Sequence, residues 1–146
     1  MPILLTQGSF NTGRDTTIVL IGPFGQVQLD NVTGFEAREV VQGLKVDRLD
    51  GIQLNADLPK GWEGSMDLDR GSNALDVLFA GIESQWFAGG NTVQSTMYQY
   101  ISEADGSTTT LVYDNVCLRL DDAGAWRPDA AVRQRVTWTA NRRRIV

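Results

Sequence analysis

Residues 34–82 read GFEAREVVQGLKVDRLDGIQLNADLPKGWEGSMDLDRGSNALDVLFAGI, and the order of their patterns decides the fold. Two strand-like segments, 34–38 and 61–69, enclose a charged and irregular insertion, 42–61, and then lead into a helix. Asp-Gly in the middle of the insertion and Pro-Lys-Gly at its end are turn signals, which predict a long loop. Loops beyond about 12–15 residues in a compact domain are usually functional or disordered, and 42–61 has no glycine-serine richness or low complexity, so we expect a functional loop.

The second strand-like segment has the alternation of a half-buried strand. Trp62, Met66 and Leu68 share one face, which predicts contact with a core. The other face is predicted to be a wet surface, and it carries Glu63, Ser65, Asp67 and Asp69.

An amphipathic helix is predicted over about 72–87. Ser72 and Asn73 are good N-cap residues, and a glycine pair after residue 88 ends the pattern. Apolar side chains at helical spacing predict a face that covers a sheet. These side chains are Leu75, Leu78, Phe79, Ile82 and Trp86.

The remaining segments predict strands. Residues 18–20 and 26–29 form one predicted hairpin, and 92–102 and 108–120 form a longer one joined at Asp105-Gly106. The longer hairpin mixes polar and apolar side chains on both faces. It therefore suits a sheet that continues into a neighbouring subunit, a wall of a water-filled channel, or an ordinary exposed hairpin.

A last strand is predicted over 131–140, with Val132, Val136 and Trp138 on one face and arginines and threonines on the other. At 146 residues the chain fits a single domain, 1–146. We predict a mostly-β fold of two packed sheets or a flattened β-barrel, with one amphipathic helix.

The composition argues against an enzyme. The chain has no histidine, and its single cysteine, Cys117, lies among the apolar residues of a predicted strand, where we expect a packed, reduced thiol. No phosphate-binding glycine loop, nucleophile elbow or zinc pattern is present, so we expect no catalytic residue, cofactor or metal. Asp67 and Asp69 could serve a hydrolase or a cation, but two aspartates on one strand face usually form only its wet side.

The charge is uneven along the chain. The formal net charge is -5, yet residues 1–132 hold 8 basic and 18 acidic side chains. Such an acidic body should repel nucleic acid, because lysine and arginine supply most non-specific affinity for DNA. The basic end, 141–146, is either a solvated tail or a contact with an acidic patch on another copy or on a partner. On another copy, Glu36 and the acids of the wet face are candidates for that patch.

Targeting signals are weak. Met1 to Leu5 is too short and too uncharged for a signal peptide, and the longest apolar run, Ile18 to Ile21, is far shorter than a membrane span. We therefore expect synthesis in the cytoplasm and no membrane insertion by this chain.

An F-E-A strand, a charged insertion, a G-W-x-G-S strand and then a helix resemble the tail tube proteins of contractile-tailed bacteriophages. Tailocin and type VI secretion tubes share that architecture. The resemblance implies a structural subunit of the virion tail, made in the host bacterial cytoplasm, that forms stacked hexameric rings. Strands of adjacent subunits would join into one inter-subunit barrel, and DNA would pass through the lumen without tight binding.

The resemblance also implies partners and contacts. The partners would be copies of the chain itself and the tail sheath, baseplate and tail-terminator proteins. The lumen-facing residues would be Glu63, Ser65, Asp67 and Asp69. The insertion, 42–61, would be an inter-subunit arm. The inter-subunit contacts would be Lys45, Asp47, Arg48, Asp50 and Asp57 in the arm and Arg142, Arg143 and Arg144 at the basic end.

A different class stays open on the residues alone. A ligand-binding β-sandwich, such as a carbohydrate-binding module, could use Trp62, Trp126 or Tyr98 as a stacking platform. Exposed aromatic rings in a coplanar row would favour that module.

Overall fold

The computed structural model describes residues 11–29 and 31–146, so the expectations about Met1 to Leu5 lie outside the described residues. A short 3-10 turn, Gly13–Asp15, precedes eight strands and one helix. The elements are β1 Thr16–Gly22, β2 Gly25–Leu29, β3 Val32–Asp47, β4 Gln53–Asp69, α1 Ala74–Phe87, β5 Ser95–Ser102, β6 Thr108–Asp122, β7 Arg133–Ala140 and β8 Arg142–Ile145. The mostly-β fold with one helix is confirmed.

The eight strands form one antiparallel sheet in the order β2-β1-β5-β6-β7-β4-β3, with β8 on β6. The sheet is continuous and does not close into a barrel. Strand β6 belongs to both halves: residues 108–113 and 116 pair with β5, residues 111–114 pair with β8, and residues 117–122 pair with β7. Asn115, with a φ of 57°, lies at the junction. The two halves of this one sheet pack on each other and enclose the core, where we expected two separate sheets or a flattened barrel.

Tyr113 lies at the centre of the core, where the two halves meet. Its side chain is fully buried, and its ring contacts Trp138 at 4.8 Å between centroids. Phe35 and Trp62 lie edge-on to the same ring, at 6.4 Å and 6.3 Å. Residues from both halves, such as Ile18 and Met97 on one and Met66 and Val136 on the other, complete the core. The apolar area buried here supplies most of the stability of the fold.

Two glycines of the G-W-x-G-S segment are required by close packing. At Gly64 a Cβ would overlap the carbonyl oxygen of Glu36 on the neighbouring strand and the ring of Trp138. Gly61 has a φ of 128°, where side chains other than glycine are strained. Gly64 thus allows the close approach of β3 and Trp138, and Gly61 lies where the register of β3 and β4 shifts.

Several predicted elements are confirmed. The helix begins and ends within two residues of the prediction, and both hairpins and the last strand form. Gly106, with a φ of 91°, lies in the turn between β5 and β6, where the Asp105 carboxylate accepts a hydrogen bond from the Ser107 amide at 2.9 Å. In β7 the buried side chains include Val136 and Trp138, as expected.

Three predictions are wrong. Residues 42–61 are not a loop, because Asp-Gly at 50–51 is the tip of a hairpin whose two long strands run through the insertion. Cys117 is exposed, because strand alternation points it away from buried Val116. Trp86, expected to cover the sheet, is 60% exposed because the last turn of α1 extends past the core.

Among the described residues, no helix has the length and apolar character needed to cross a membrane.

Candidate assembly surfaces

The most prominent surface is a two-stranded ribbon that projects from the body of the fold. We call residues 41–60 the ribbon; it consists of the end of β3, the start of β4 and the turn between them. Strand β4 pairs with β7 only from Trp62 onward, so the ribbon has no third strand among the described residues. At about 3.3 Å per residue, it extends roughly 25 Å beyond the body.

The ribbon has an apolar face and, opposite to it, a hydrophilic side. Cross-strand partners such as Val46 with Leu54, and Leu44 with Ala56, put their side chains on the same side. The apolar face consists of Leu44, Val46, Leu54, Ala56 and Leu58. The hydrophilic side of the ribbon consists of Lys45, Asp47, Gln53, Asn55 and Asp57.

The apolar face lies uncovered by the described chain. Its leucines and valine are 39–50% exposed, and at the tip Ile52 is 53% exposed and Leu49 is fully exposed. Side chains of this size are normally buried, and a contiguous exposed apolar patch marks an interaction site.

The tip of the ribbon is a tight turn with a defined conformation. The Arg48 amide donates a hydrogen bond to the Ile52 carbonyl at 2.9 Å, and Gly51 adopts a φ of 88°. Arg48 also forms an ion pair with Asp50 at 2.9 Å. All five arm residues expected in contacts, Lys45, Asp47, Arg48, Asp50 and Asp57, are exposed on this one ribbon. Their role between subunits stays a prediction.

The basic end is a strand of the sheet. β8 pairs with β6, and the Arg144 guanidinium donates two hydrogen bonds to the Asp114 carboxylate, at 2.7 Å and 3.0 Å. This contact lowers the pKa of Asp114 below its usual value. Arg143 lies over the ring of Trp62 at 4.0 Å from its centroid. The contacts of Arg143 and Arg144 are thus within the chain, and a contact of Arg142, Arg143 and Arg144 with another copy stays a prediction.

The wet face predicted for β4 exists, but each of its acids has a basic neighbour. Glu63 lies 3.5 Å from Arg38, and Asp69 lies 3.4 Å from Arg133. Arg135 bridges Asp67, at 3.3 Å, and the hydroxyl of buried Ser65, at 3.2 Å. We call the surface that these residues form, together with Arg119, Thr137, Thr139 and exposed Cys117, the polar face.

The pairing of charges changes what the polar face can do. Asp67 and Asp69 each have an arginine beside them, which leaves a shared cation little to neutralise. Among the described residues, no three or more His, Cys, Asp or Glu side chains are placed to hold a metal ion. The arginines were visible in the sequence on β7, but only strand pairing shows that they oppose the acids of β4.

A second apolar surface lies at the C-terminal end of α1. Leu75 and Leu78 of the first turns are buried, whereas Trp86 is 60% and Phe87 is 77% exposed. An open pocket of about 490 Å³ lies beside them. We call its apolar lining the helix patch; it consists of Phe79, Ile82, Trp86, Val93 and Leu120, with Glu83 at its edge.

The aromatic residues considered for a carbohydrate platform do not form one surface. Trp62 packs under Arg143 and against Tyr113 in the core. Tyr98 pairs with Val112, next to inward-facing Tyr113, so its ring lies on the opposite face of the sheet and stacks on Tyr100 at 6.2 Å. Arg70 lies over Trp126 at 5.2 Å. Trp62, Trp126 and Tyr98 therefore do not form the coplanar row of exposed rings that would favour a carbohydrate-binding module.

The open edges of the sheet are a further candidate surface for assembly. β2 and β3 are the two ends of the strand order, so one side of each carries backbone groups without a strand partner among the described residues. β3 exposes such an edge along 16 residues. An edge of this length is a template for pairing with another chain.

Neither a protein-family model nor a curated protein matches the sequence. Solved structures share the fold at low identity. A chain in the cryo-EM structure of the anti-feeding prophage cap, the tube-terminating cap, is 11% identical, with a TM-score of 0.63 over 99% of both chains. A chain in the extended sheath/tube terminator of an extracellular contractile injection system (PVC) is 10% identical, with a TM-score of 0.59 over 100% of this chain and 97% of that one.

A third similar chain comes from the extended sheath-tube complex of that injection system. It is 10% identical, with a TM-score of 0.58 over 88% of this chain and 87% of that one. The fold of this chain is thus that of structural tail proteins in contractile injection systems, as the resemblance implied.

Proposed function

We propose that the chain is a structural subunit of a contractile tail, which assembles with copies of itself into hexameric rings stacked as a tube. One observation carries the proposal: the ribbon holds an apolar face that the chain's own fold leaves uncovered. A protein that works as a monomer gains nothing from such a surface and risks aggregation, whereas a subunit buries it against its neighbour.

The open edges of β2 and β3 support the same proposal. If the edge of one copy pairs with that of the next, the backbone groups are satisfied and the sheets continue into an inter-subunit barrel. Both edges of the β5-β6 hairpin are already paired within the chain, β5 with β1 and β6 with β7 and β8, so a continuation of the sheet into a neighbour would start at β2 or β3.

We further propose that the polar face lines the lumen and that DNA passes without tight binding. Three of the four arginines on this face, Arg38, Arg133 and Arg135, each have an acid within 3.5 Å, so the face offers few free cations for displacing the counterions of phosphate. Residues 1–132 as a whole carry more acidic than basic side chains. The partners would be the sheath, baseplate and tail-terminator proteins, and the location the virion tail after synthesis in the host bacterial cytoplasm.

Electron microscopy of the purified protein tests the proposal. We expect negative-stain images of concentrated protein to show rings or tubes with a central hole, and light scattering to give masses above that of one chain. Compact monomers at every concentration, in the absence and presence of its tail partners, would contradict it.

The similarity to a tube-terminating cap supports a second candidate, a terminal ring. A terminal ring closes one end of a tube and does not stack further. Images showing only single rings that bind to tube ends would favour this candidate, whereas tubes of many repeats would favour the first.

A further inference from the structure

We infer that the apolar face and tip of the ribbon of one copy bind the helix patch of a neighbouring copy. The inference rests on the proposed function and adds the surface that receives the ribbon. It joins the exposed apolar face of a projection to the largely half-buried apolar lining of an open pocket.

The two surfaces lie at different positions along β4. The ribbon leaves the body at Gly61, whereas Leu120 of the patch is in register, through Val136, with Met66, five residues and roughly 16 Å further along the strand. The ribbon extends from Gly61 in the opposite direction along β4, so we infer that it binds the patch of another copy. Such a contact joins two different surfaces, so it propagates head to tail into a ring or a stack.

The ribbon also has the size of an interface. The exposed parts of its apolar face and tip add up to roughly 600 Å², close to the ~800 Å² that each partner buries in a standard protein interface. At the tip, the side chain of Leu49 is fully exposed and matches the apolar lining of the pocket in chemistry. Insertion of Leu49 into an apolar pocket removes its exposed apolar surface from water, which favours the contact.

Charge complementarity supports this pairing. Residues 71–118, which include α1, contain no lysine or arginine, and the last turn of α1 has no basic residue to offset the helix dipole. The ribbon holds three basic and three acidic side chains and is neutral overall, but the basic residue Arg48 adjoins Leu49 at its tip. With Leu49 in the pocket, Arg48 comes near Glu83 and the negative end of the helix. Its exposed pair with Asp50 costs little to rearrange.

Disulfide trapping tests the contact directly. In a Cys117→Ser background, we expect Leu49→Cys combined with Thr92→Cys, at the pocket lining, to give a ladder of cross-linked species beyond the dimer under mild oxidation. The matched control pairs Leu49→Cys with Ser107→Cys in the exposed β5-β6 turn, and it should give no ladder.

Charge reversal gives an independent readout. We expect Arg48→Glu alone and Glu83→Arg alone each to raise the concentration needed for assembly by about tenfold, and the double variant to recover most of that loss. Recovery in the double variant identifies a contact between these two side chains, because separate structural defects would add instead.

The outcomes separate this inference from the proposed function. Rings or tubes that form without the Leu49–Thr92 ladder, and that tolerate both charge reversals without rescue, would overturn the ribbon-to-patch contact and leave the tube proposal intact. Wild-type protein that never assembles would overturn the tube proposal. A ladder that stops at the dimer would contradict head-to-tail pairing.

Discussion

Strands β3 and β4 are paired along almost their whole length, yet their two halves are in opposite situations. In the body half, Phe35 and Ala37 face the core, and β7 adds a third strand. In the ribbon half the apolar positions of β3 change from odd to even numbers, with Leu44 and Val46. The register shifts at the same place, between Val40 and Val41.

The difference shows that the ribbon does not extend the chain's own core. Because side chains alternate along a strand, the even positions of β3 continue the side that carries Glu36 and Arg38 in the body. The apolar face of the ribbon therefore points to the side of the sheet away from the core. The chain covers the apolar side chains of the first half by folding, whereas those of the second half stay exposed.

Removing the ribbon should have the largest effect, on assembly. In a variant in which Asn-Gly replaces residues 42–59, a two-residue hairpin turn joins Val41 to Lys60. We expect rings and tubes to be lost completely, while the free energy of unfolding of the monomer changes by no more than about 1 kcal/mol because little buried surface is removed. Electron microscopy and urea denaturation measure the two quantities.

A single substitution makes the same comparison with less change to the chain. Leu54→Asp places a charge on the apolar face of the ribbon, and Asn55→Asp places the same charge on the hydrophilic side of the ribbon, on the same strand. Only Leu54→Asp should block assembly. Assembly unaffected by either the shortened ribbon or Leu54→Asp would remove the ribbon from the interface.

The body half should respond in stability. Gly64→Ala forces a Cβ against the carbonyl of Glu36 and the ring of Trp138, and we expect a loss of about 3 kcal/mol or unfolding. In the ribbon, Gly43 has only a carboxylate oxygen of Asp57 near the position of a Cβ, at 3.9 Å, so Gly43→Ala is the matched control. It should leave the thermal midpoint within a few degrees of that of the wild type. Equal losses in the two variants would refute the division into a closed half and an open half.

The sequence predicted the body far better than the ribbon. Trp62, Met66 and Leu68 gave the inward face of β4 correctly, because burial against one core imposes a clean alternation. In the ribbon the alternation of Leu54, Ala56 and Leu58 is just as regular, but charged neighbours and a turn signal hid it. The change from odd to even apolar positions in β3 was a readable sign of a strand that serves two different surfaces.

The candidate surfaces were only partly predictable. The family resemblance placed the five predicted contact residues on one arm, and all five lie on the ribbon. It could not show that Arg133 and Arg135 oppose Asp69 and Asp67, since strand pairing brings together residues over sixty positions apart. Nor could it show that the C-terminal arginines join the sheet, because a four-residue strand such as β8 has too little pattern to recognise.

The smallest expected effect concerns the polar face, which the body half leaves open to water. Cys117 is the protein's single cysteine and is exposed on this face, so thiol labelling reports its accessibility without any mutation. If the polar face lines a lumen, N-ethylmaleimide should label assembled tubes within about threefold of the rate for free subunits, because a small reagent enters a water-filled channel. A maleimide carried on a folded protein should label free subunits but not tubes, except near their ends. Equal labelling of tubes and subunits by the large reagent would place this face on the outside, and the lumen would then have to be formed by other residues.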